Sequence, residues 1–165
     1  HSFYPFFCAL FFQRQISMSD IFQLQRFIDA QENIYTDVIS ELKQGHKKSH
    51  WMWYIFPQIT GLGQSHISQQ YAIGSLEEAS AFVQHPILGD RLYECTEIVV
   101  STEGRTAKQI FGTPDHLKFH SCITLFCQVE NHHPVFDSAL TKYFENKQEQ
   151  LTLDILSGSS NQGGE

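Results

Sequence analysis

Apolar side chains recur every three or four residues along most of the chain, which is the spacing of one face of an α-helix. The first such stretch spans residues 20–44 and is followed by Gly45, a residue type that commonly ends helices. Shorter helices are predicted over residues 65–73, 75–85, 87–101, 106–111, 113–129 and 134–144. No alternating pattern indicates a β-sheet, so we predict an all-α, multihelical single domain.

Two of these helices begin with recognisable capping residues. Ser75 and Glu78 have the spacing of a capping box, in which each side chain binds the backbone amide of the other residue. Thr113, Pro114 and Asp115 supply a cap, a first-turn proline and an acid that complements the helix dipole. Each pattern predicts where a helix begins.

The segment over residues 46–63 lacks a helical period and contains a proline, so we predict an irregular aromatic loop through the centre of the domain. Its sequence SHWMWYIFPQ holds both tryptophans. In an extended conformation Trp51 and Trp53 face one way while Met52 and Tyr54 face the other, so both sides are apolar and must be covered. The loop is therefore either part of the core or the wall of a ligand pocket.

Three blocks of sequence carry a family resemblance. They are SHWMWYIFPQITGLGQSHISQQYAI, HPILGDRLYE and FGTPDHLKFHSCITLF. In content and order they resemble the domain of unknown function 1810 family, over about residues 20–156. The resemblance implies a mainly helical fold and brings no established activity with it.

Length and composition suit one domain of 165 residues, which we place at residues 18–156. The tail over 157–165 is rich in Gly, Ser, Asn and Gln and is expected to be disordered. Residues 1–17 are interpreted as a non-domain upstream segment. The apolar run inside it lacks preceding basic residues and a small-residue cleavage site, and it is too short to span a bilayer. A secretory signal is the alternative interpretation.

Charge and cysteine content narrow the classes of partner. The net charge of −7 opposes binding to duplex nucleic acid, although Lys47 and Lys48 could hold one phosphate. The four cysteines form no CxxC pair, which is typical of a reduced protein without a zinc knuckle. We therefore expect a cytoplasmic protein with no membrane partner. The sequence does not define its oligomeric state.

The pocket interpretation combines the aromatic loop, the helix after Ser65 and a guanidinium. Aromatic rings can stack on a planar group, while glycines before a helix N-terminus can cradle an anion. Arg91 could clamp a phosphate, or it could form an internal salt bridge with Asp90 or Glu94. The candidate ligand-binding residues are Trp51, Trp53, Gln58, Gly63, Ser65, Tyr71, Arg91, Lys118 and Ser121.

Three residues are candidates for acid/base catalysis. Glu94 and Asp115 are acidic candidates for hydrolysis of a glycosidic or phosphoester bond, and His50 is the alternative. Lys118 could activate Ser121 or Cys122 as a nucleophile, because the spacing places them on one helix face. The simpler interpretation makes Lys118 the ion-pair partner of Asp115.

No metal site or cofactor is predicted. His116 and His120 have the i, i+4 spacing of two metal ligands, but Leu117 stands where an HExxH motif requires glutamate. His132 and His133 are no better placed as a third ligand.

Two hypotheses of different classes follow. The leading one is a pocket for a small anionic, ring-containing ligand such as a nucleotide or an NAD-derived metabolite, with hydrolysis as an open question. The other is a non-catalytic interaction module whose aromatic segment fills the core. In the first case Trp51, Gln58, Ser65 and Arg91 surround an open concavity, and in the second both tryptophans are enclosed.

Overall fold

The computed structural model describes residues 20–158, which form ten helices and no β-strand. This confirms the predicted all-α fold. The helices are α1 (Gln25–Gln31), α2 (Tyr35–Lys43), α3 (Met52–Ile55), α4 (His66–Gln70), α5 (Leu76–Gln84), α6 (Leu88–Ser101), α7 (Ala107–Phe111), α8 (Asp115–Cys127), α9 (Pro134–Phe144) and α10 (Gln150–Ser157). None of these helices is long and apolar enough to cross a membrane.

Helix α8 occupies the middle of the domain and packs against α5, α7, α9 and α10. Nearly all of its last two turns are buried, including the polar Ser121 and Thr124. The ring of Phe119 on this helix stacks on Phe111 at 4.6 Å and meets Phe56 edge-on at 5.1 Å. These rings join the aromatic segment to the core, and each buried Phe contributes about 1.5–3 kcal/mol through apolar burial.

Several predicted helix boundaries are confirmed. The Ser75 hydroxyl accepts the Glu78 amide at 3.1 Å. The other half of the expected capping box is wrong, because the Glu78 carboxylate accepts the amide of Gly74 and pairs with Arg26 at 2.9 Å. Helix α9 has the predicted bounds.

The long helix predicted over 20–44 is two helices, α1 and α2. The break lies at residues 32–34, where the Ile34 amide bonds the Gln31 carbonyl three residues back. The buried Gln31 side chain also donates to the Tyr54 carbonyl at 2.7 Å, which fixes the end of α1 against α3. Apolar spacing continues across this break, so periodicity alone does not reveal it.

Two helices were not predicted. Residues 52–55 form the single turn α3 within the expected loop. Helix α10 begins after Glu149, whose carboxylate accepts the amides of Leu151 and Thr152, and it reaches Ser157, the first residue of the predicted tail. The predicted upstream segment (1–17) and the part of that tail over 159–165 lie outside the described residues.

Candidate functional site

A narrow cleft lies between the aromatic segment (residues 51–58), the segment that follows it (residues 61–72) and α8. We call it the Trp53 cleft. Its lining includes five of the predicted ligand-binding residues together with Ser68, and these six are Trp53, Gln58, Gly63, Ser68, Tyr71 and Lys118. In this conformation its volume is about 10 Å³, which is space for a single water molecule.

A cation lies over an aromatic ring at this cleft. The Lys118 ammonium is 5.0 Å from the centroid of Trp53, within the range of a cation–π contact. It also pairs with Asp115 at 3.3 Å, which confirms the predicted ion pair. Lys47 approaches the same carboxylate at 2.8 Å and lies 5.1 Å from the centroid of Trp51. The Asp115 carboxylate is thus shared by two ammonium groups, and the Glu41 carboxylate, which accepts the Trp51 indole N–H, adds a second negative charge at the aromatic segment.

One wall of the cleft is a lightly anchored segment, residues 61–72. Ser65 caps α4 by accepting the Ser68 amide at 3.2 Å, as predicted, and Ser65 is itself exposed. No residue of α4 is buried. The two ends of the segment are joined next to each other by two backbone hydrogen bonds of 2.8 Å. The Ile73 amide donates to the Gln58 carbonyl, and the Thr60 amide donates to the Ile73 carbonyl.

The two tryptophans have different environments. Trp51 is 1% exposed, and its indole nitrogen donates to the Glu41 carboxylate at 3.3 Å. Trp53 is half-buried at the cleft. The expectation of alternating faces is wrong because residues 52–55 form a helical turn, which buries Met52 and Ile55 and leaves Trp53 partly exposed. Trp51 therefore belongs to the core.

Glu41 holds the residues at which the chain enters the aromatic segment. Its buried carboxylate accepts the amides of Lys48 and Ser49, the Ser49 hydroxyl and the Trp51 indole N–H. Burial raises the pKa of Glu41, but these hydrogen bonds outweigh burial and lower the pKa below its ordinary value. The ionised carboxylate thus fixes Trp51.

Arg91 is not part of the cleft, so the predicted convergence of Arg91 with the tryptophans is wrong. Its guanidinium donates to the Gln31 side chain at 3.2 Å and lies 4.7 Å from the centroid of Tyr35. None of the ion pairs among residues 20–158 includes Arg91, so the alternative salt bridge with Asp90 or Glu94 is not formed either. Its neighbours place it between α1, α2 and α6.

The three acid/base candidates lie in different surroundings. Glu94 accepts the Tyr35 hydroxyl at 2.8 Å and lines an open groove of about 730 Å³ with Lys43 and Arg105. Burial, with Cys95 and Glu94 nearby, raises the pKa of Tyr35. Asp115 is shared by two lysines, and His50 is exposed. The structure therefore does not bring the three candidates into one site.

A lysine-activated nucleophile on α8 is not formed. Lys118 is directed to Asp115, while the Ser121 hydroxyl lies 3.1 Å from the Leu117 carbonyl and 3.2 Å from the Glu149 carboxylate. Cys122 is fully buried, and burial raises the pKa of its thiol well above the ordinary value. The hydroxyl and the thiol thus serve the packing of α8.

Comparison with known families confirms the resemblance that the three sequence blocks indicate. The model of the family described as "Protein of unknown function (DUF1810)" matches residues 21–156. The chain belongs to the DUF1810 family. No curated protein matches it.

A solved structure extends this comparison. The DUF1810 fold described above is similar to the crystal structure of the conserved hypothetical protein Rv1873 from Mycobacterium tuberculosis, with a TM-score of 0.81 and 44% sequence identity. The alignment covers 82% of this chain and 97% of that chain. The likeness supports the helical architecture over nearly the whole length of the relative.

Two residues of this DUF1810 cleft region were not among the predicted ligand-binding residues. The sequence leaves Ser68 either as exposed polar surface or as pocket lining, if the helix after Ser65 leans over the aromatic segment, and in the structure it lines the cleft. A Cβ at Gly63 would lie 2.5 Å from the Ser68 side chain, so the two segments approach closely here. Lys47 was considered only together with Lys48, as a possible site for one phosphate. Its ion pair with Asp115 joins residues 68 positions apart, so no local sequence pattern indicates it.

Proposed function

We propose that this protein binds a small anionic, ring-containing molecule in the Trp53 cleft, with nucleotides and NAD-derived metabolites as the class of ligand. The observation that carries the proposal is the position of Lys118, whose ammonium lies 5.0 Å from the centroid of the half-buried Trp53 ring. A ring stacked on the indole would then have its phosphate next to a cation.

Local charge supports an anion at this place in an otherwise acidic chain. The chain carries a net charge of −7, yet the ammonium at the cleft is that of Lys118, which shares Asp115 with Lys47 and lies farther from it, at 3.3 Å against 2.8 Å. A quarter of the Lys118 side chain is exposed, so its ammonium can exchange part of its contact with Asp115 for a ligand phosphate. Lys47 is nearly enclosed and would hold Asp115 in place.

Binding requires the cleft to open. A cavity of about 10 Å³ cannot admit a nucleotide, whose sites are about 300–1,000 Å³. The segment over 61–72 is the element that would move, because α4 buries no residue and Gly61 provides a joint with φ at +106°. Arg26 holds the C-terminal end of this segment by donating hydrogen bonds to the carbonyls of Gln70 and Ala72. Outward movement of this segment would break the edge-on contact of Tyr71 with Phe27, whose ring centroids are 5.8 Å apart. It would leave the contacts among Phe56, Phe111 and Phe119 in place.

The proposal is confined to binding. Glu94 lines a different groove, His50 is exposed, and Asp115 is engaged by two lysines. A hydrolytic role would need one of these groups beside the bound ligand.

Calorimetric titration with AMP tests the proposal. We expect Lys118→Ala to weaken AMP affinity at least about tenfold, since a hydrogen bond to a charged group contributes about 1.5–3 kcal/mol. Lys147→Ala is the matched control, because it removes the same charge from a side chain that is 75% exposed. Adenosine and inorganic phosphate, titrated separately, should each bind more weakly than AMP.

The interaction-module hypothesis makes the opposite prediction, and the full enclosure of Trp51 favours it. If neither AMP nor nicotinamide mononucleotide binds at millimolar concentration, or if Lys118→Ala and Lys147→Ala bind AMP equally, the pocket is rejected and the aromatic segment is only core.

A further inference from the structure

A second group of chemically active side chains lies where α8 passes into α9. Cys127 is the last residue of α8, His132 lies in the connecting loop and Asp137 is in the first turn of α9. The Cys127 Sγ, a ring nitrogen of His132 and a carboxylate oxygen of Asp137 all lie within 4.8 Å of one another. Among residues 20–158, no other three Cys, His, Asp or Glu side chains meet in this way.

These three atoms form a ligand set that zinc prefers. Zinc binds thiolate at about 2.3 Å and imidazole or carboxylate at about 2.0–2.2 Å. The His132 Nε2 and the Asp137 Oδ2 are 2.8 Å apart, and tetrahedral bonding at those lengths would separate them by about 3.4 Å. Asp137 is 59% exposed, so a small rotation of its side chain supplies the difference. Tetrahedral bonding would also place the Cys127 Sγ about 3.6 Å from the other two atoms, and here it lies within 4.8 Å of both.

The surroundings favour a cation and leave space beside it. Carbonyl groups at the C-terminal end of α8 present the negative end of the helix dipole. His132 also lines a cavity of about 260 Å³, together with Tyr93, Glu130 and Phe136. A metal held by His132 would thus lie next to a volume large enough for water and a small ligand.

We propose that Cys127, His132 and Asp137 bind one zinc ion, with a fourth coordination position open to the adjacent cavity. Three protein ligands and one exchangeable position are the arrangement found in catalytic zinc sites rather than in closed structural sites. The site does not involve the Trp53 cleft, and it adds a metal centre that the sequence spacing of the histidines did not indicate. The signal in the sequence is Cys-x4-His-x4-Asp across a helix junction.

The full-length protein, freed of metal by chelation, provides the test. We expect calorimetry to show one equivalent of Zn²⁺ bound, and Co²⁺ to give the near-ultraviolet band of a thiolate-to-cobalt charge transfer. Cys127→Ala should abolish that band, while His132→Ala and Asp137→Asn should each weaken Zn²⁺ binding at least about tenfold. Cys95→Ala and His46→Ala are the matched controls and should bind Zn²⁺ as the unchanged protein does.

Absence of Zn²⁺ binding by the folded protein would overturn the proposal, and so would equal binding by the ligand and control variants. Cys127 is buried, and its replacement by alanine can disturb folding. His132 and Asp137 are partly or largely exposed, so their variants keep the test decisive. Circular dichroism of each variant establishes that it is folded before titration.

Discussion

Replacement of Glu41 by alanine is expected to lower the free energy of unfolding by about 3 kcal/mol, because it removes an ionised acceptor from several donors at once. The indole N–H of Trp51 loses its partner where the ring is 1% exposed, so water cannot replace the carboxylate. The amides of Lys48 and Ser49 are nearer to solvent and can be hydrated. Chemical denaturation at pH 7 measures the loss.

The control for this variant is Glu97→Ala, which removes an exposed carboxylate from α6 and should change stability by less than about 0.5 kcal/mol. Glu41→Gln tests the charge itself. The pKa of Glu41 is lowered in the folded protein, so its contribution is complete above the unfolded pKa and is lost as pH falls through the folded pKa. The difference between the unchanged protein and Glu41→Gln should therefore stay constant as pH falls from 7 to about 4.3, the unfolded pKa of Glu, and narrow as pH falls below it. A difference independent of pH would contradict this account of Glu41.

Replacement of Gly89 by alanine is expected to cost about 3 kcal/mol, although alanine is the better helix former by about 1 kcal/mol. An alanine Cβ at this position of α6 would lie 2.0 Å from the backbone carbonyl oxygen of Val83. Because that atom belongs to the backbone of α5, the two helices must separate to relieve the overlap. Chemical denaturation again provides the measurement.

For Gly89→Ala, helix propensity predicts an increase in stability and packing predicts a decrease, so the measurement distinguishes the two effects. Destabilisation shows that the close approach of α5 and α6 is required for the native packing. Unchanged or increased stability of Gly89→Ala, beside an unaffected Glu97→Ala, would mean that the contact between the two helices is looser than described.

The parts of the fold that could be predicted from sequence are those with local causes. The Ser75 cap, the Gly112 helix end and the bounds of α9 each depend on residues within one turn of the boundary. The break between α1 and α2 has a distant cause, since Gln31 is held by the carbonyl of Tyr54. Helix α10 is capped by Glu149, a residue type outside the usual capping set.

In the candidate site, too, the residues that are near one another in sequence come together as predicted, and the distant one does not. Trp53, Gln58, Gly63 and Tyr71 lie close together in sequence, and the structure brings them to one cleft. Arg91 was joined to them only by the chemistry of its guanidinium. Contacts with α1 and α2 direct it elsewhere.

The environment of each indole could not be predicted from sequence. A single helical turn at residues 52–55 decides which ring is enclosed, and one turn is too short to produce a periodic signal. Extended backbone would instead have placed Trp51 and Trp53 on the same side.

Fluorescence of single-tryptophan proteins tests ligand binding at the Trp53 cleft most directly, because the chain contains only two tryptophans. Trp51→Phe retains the indole at the cleft, and Trp53→Phe retains the enclosed one. During titration with AMP, we expect saturable quenching of the Trp51→Phe protein and constant emission from the Trp53→Phe protein. Constant emission from both folded proteins at millimolar AMP, or equal quenching of both, would contradict ligand binding at this cleft.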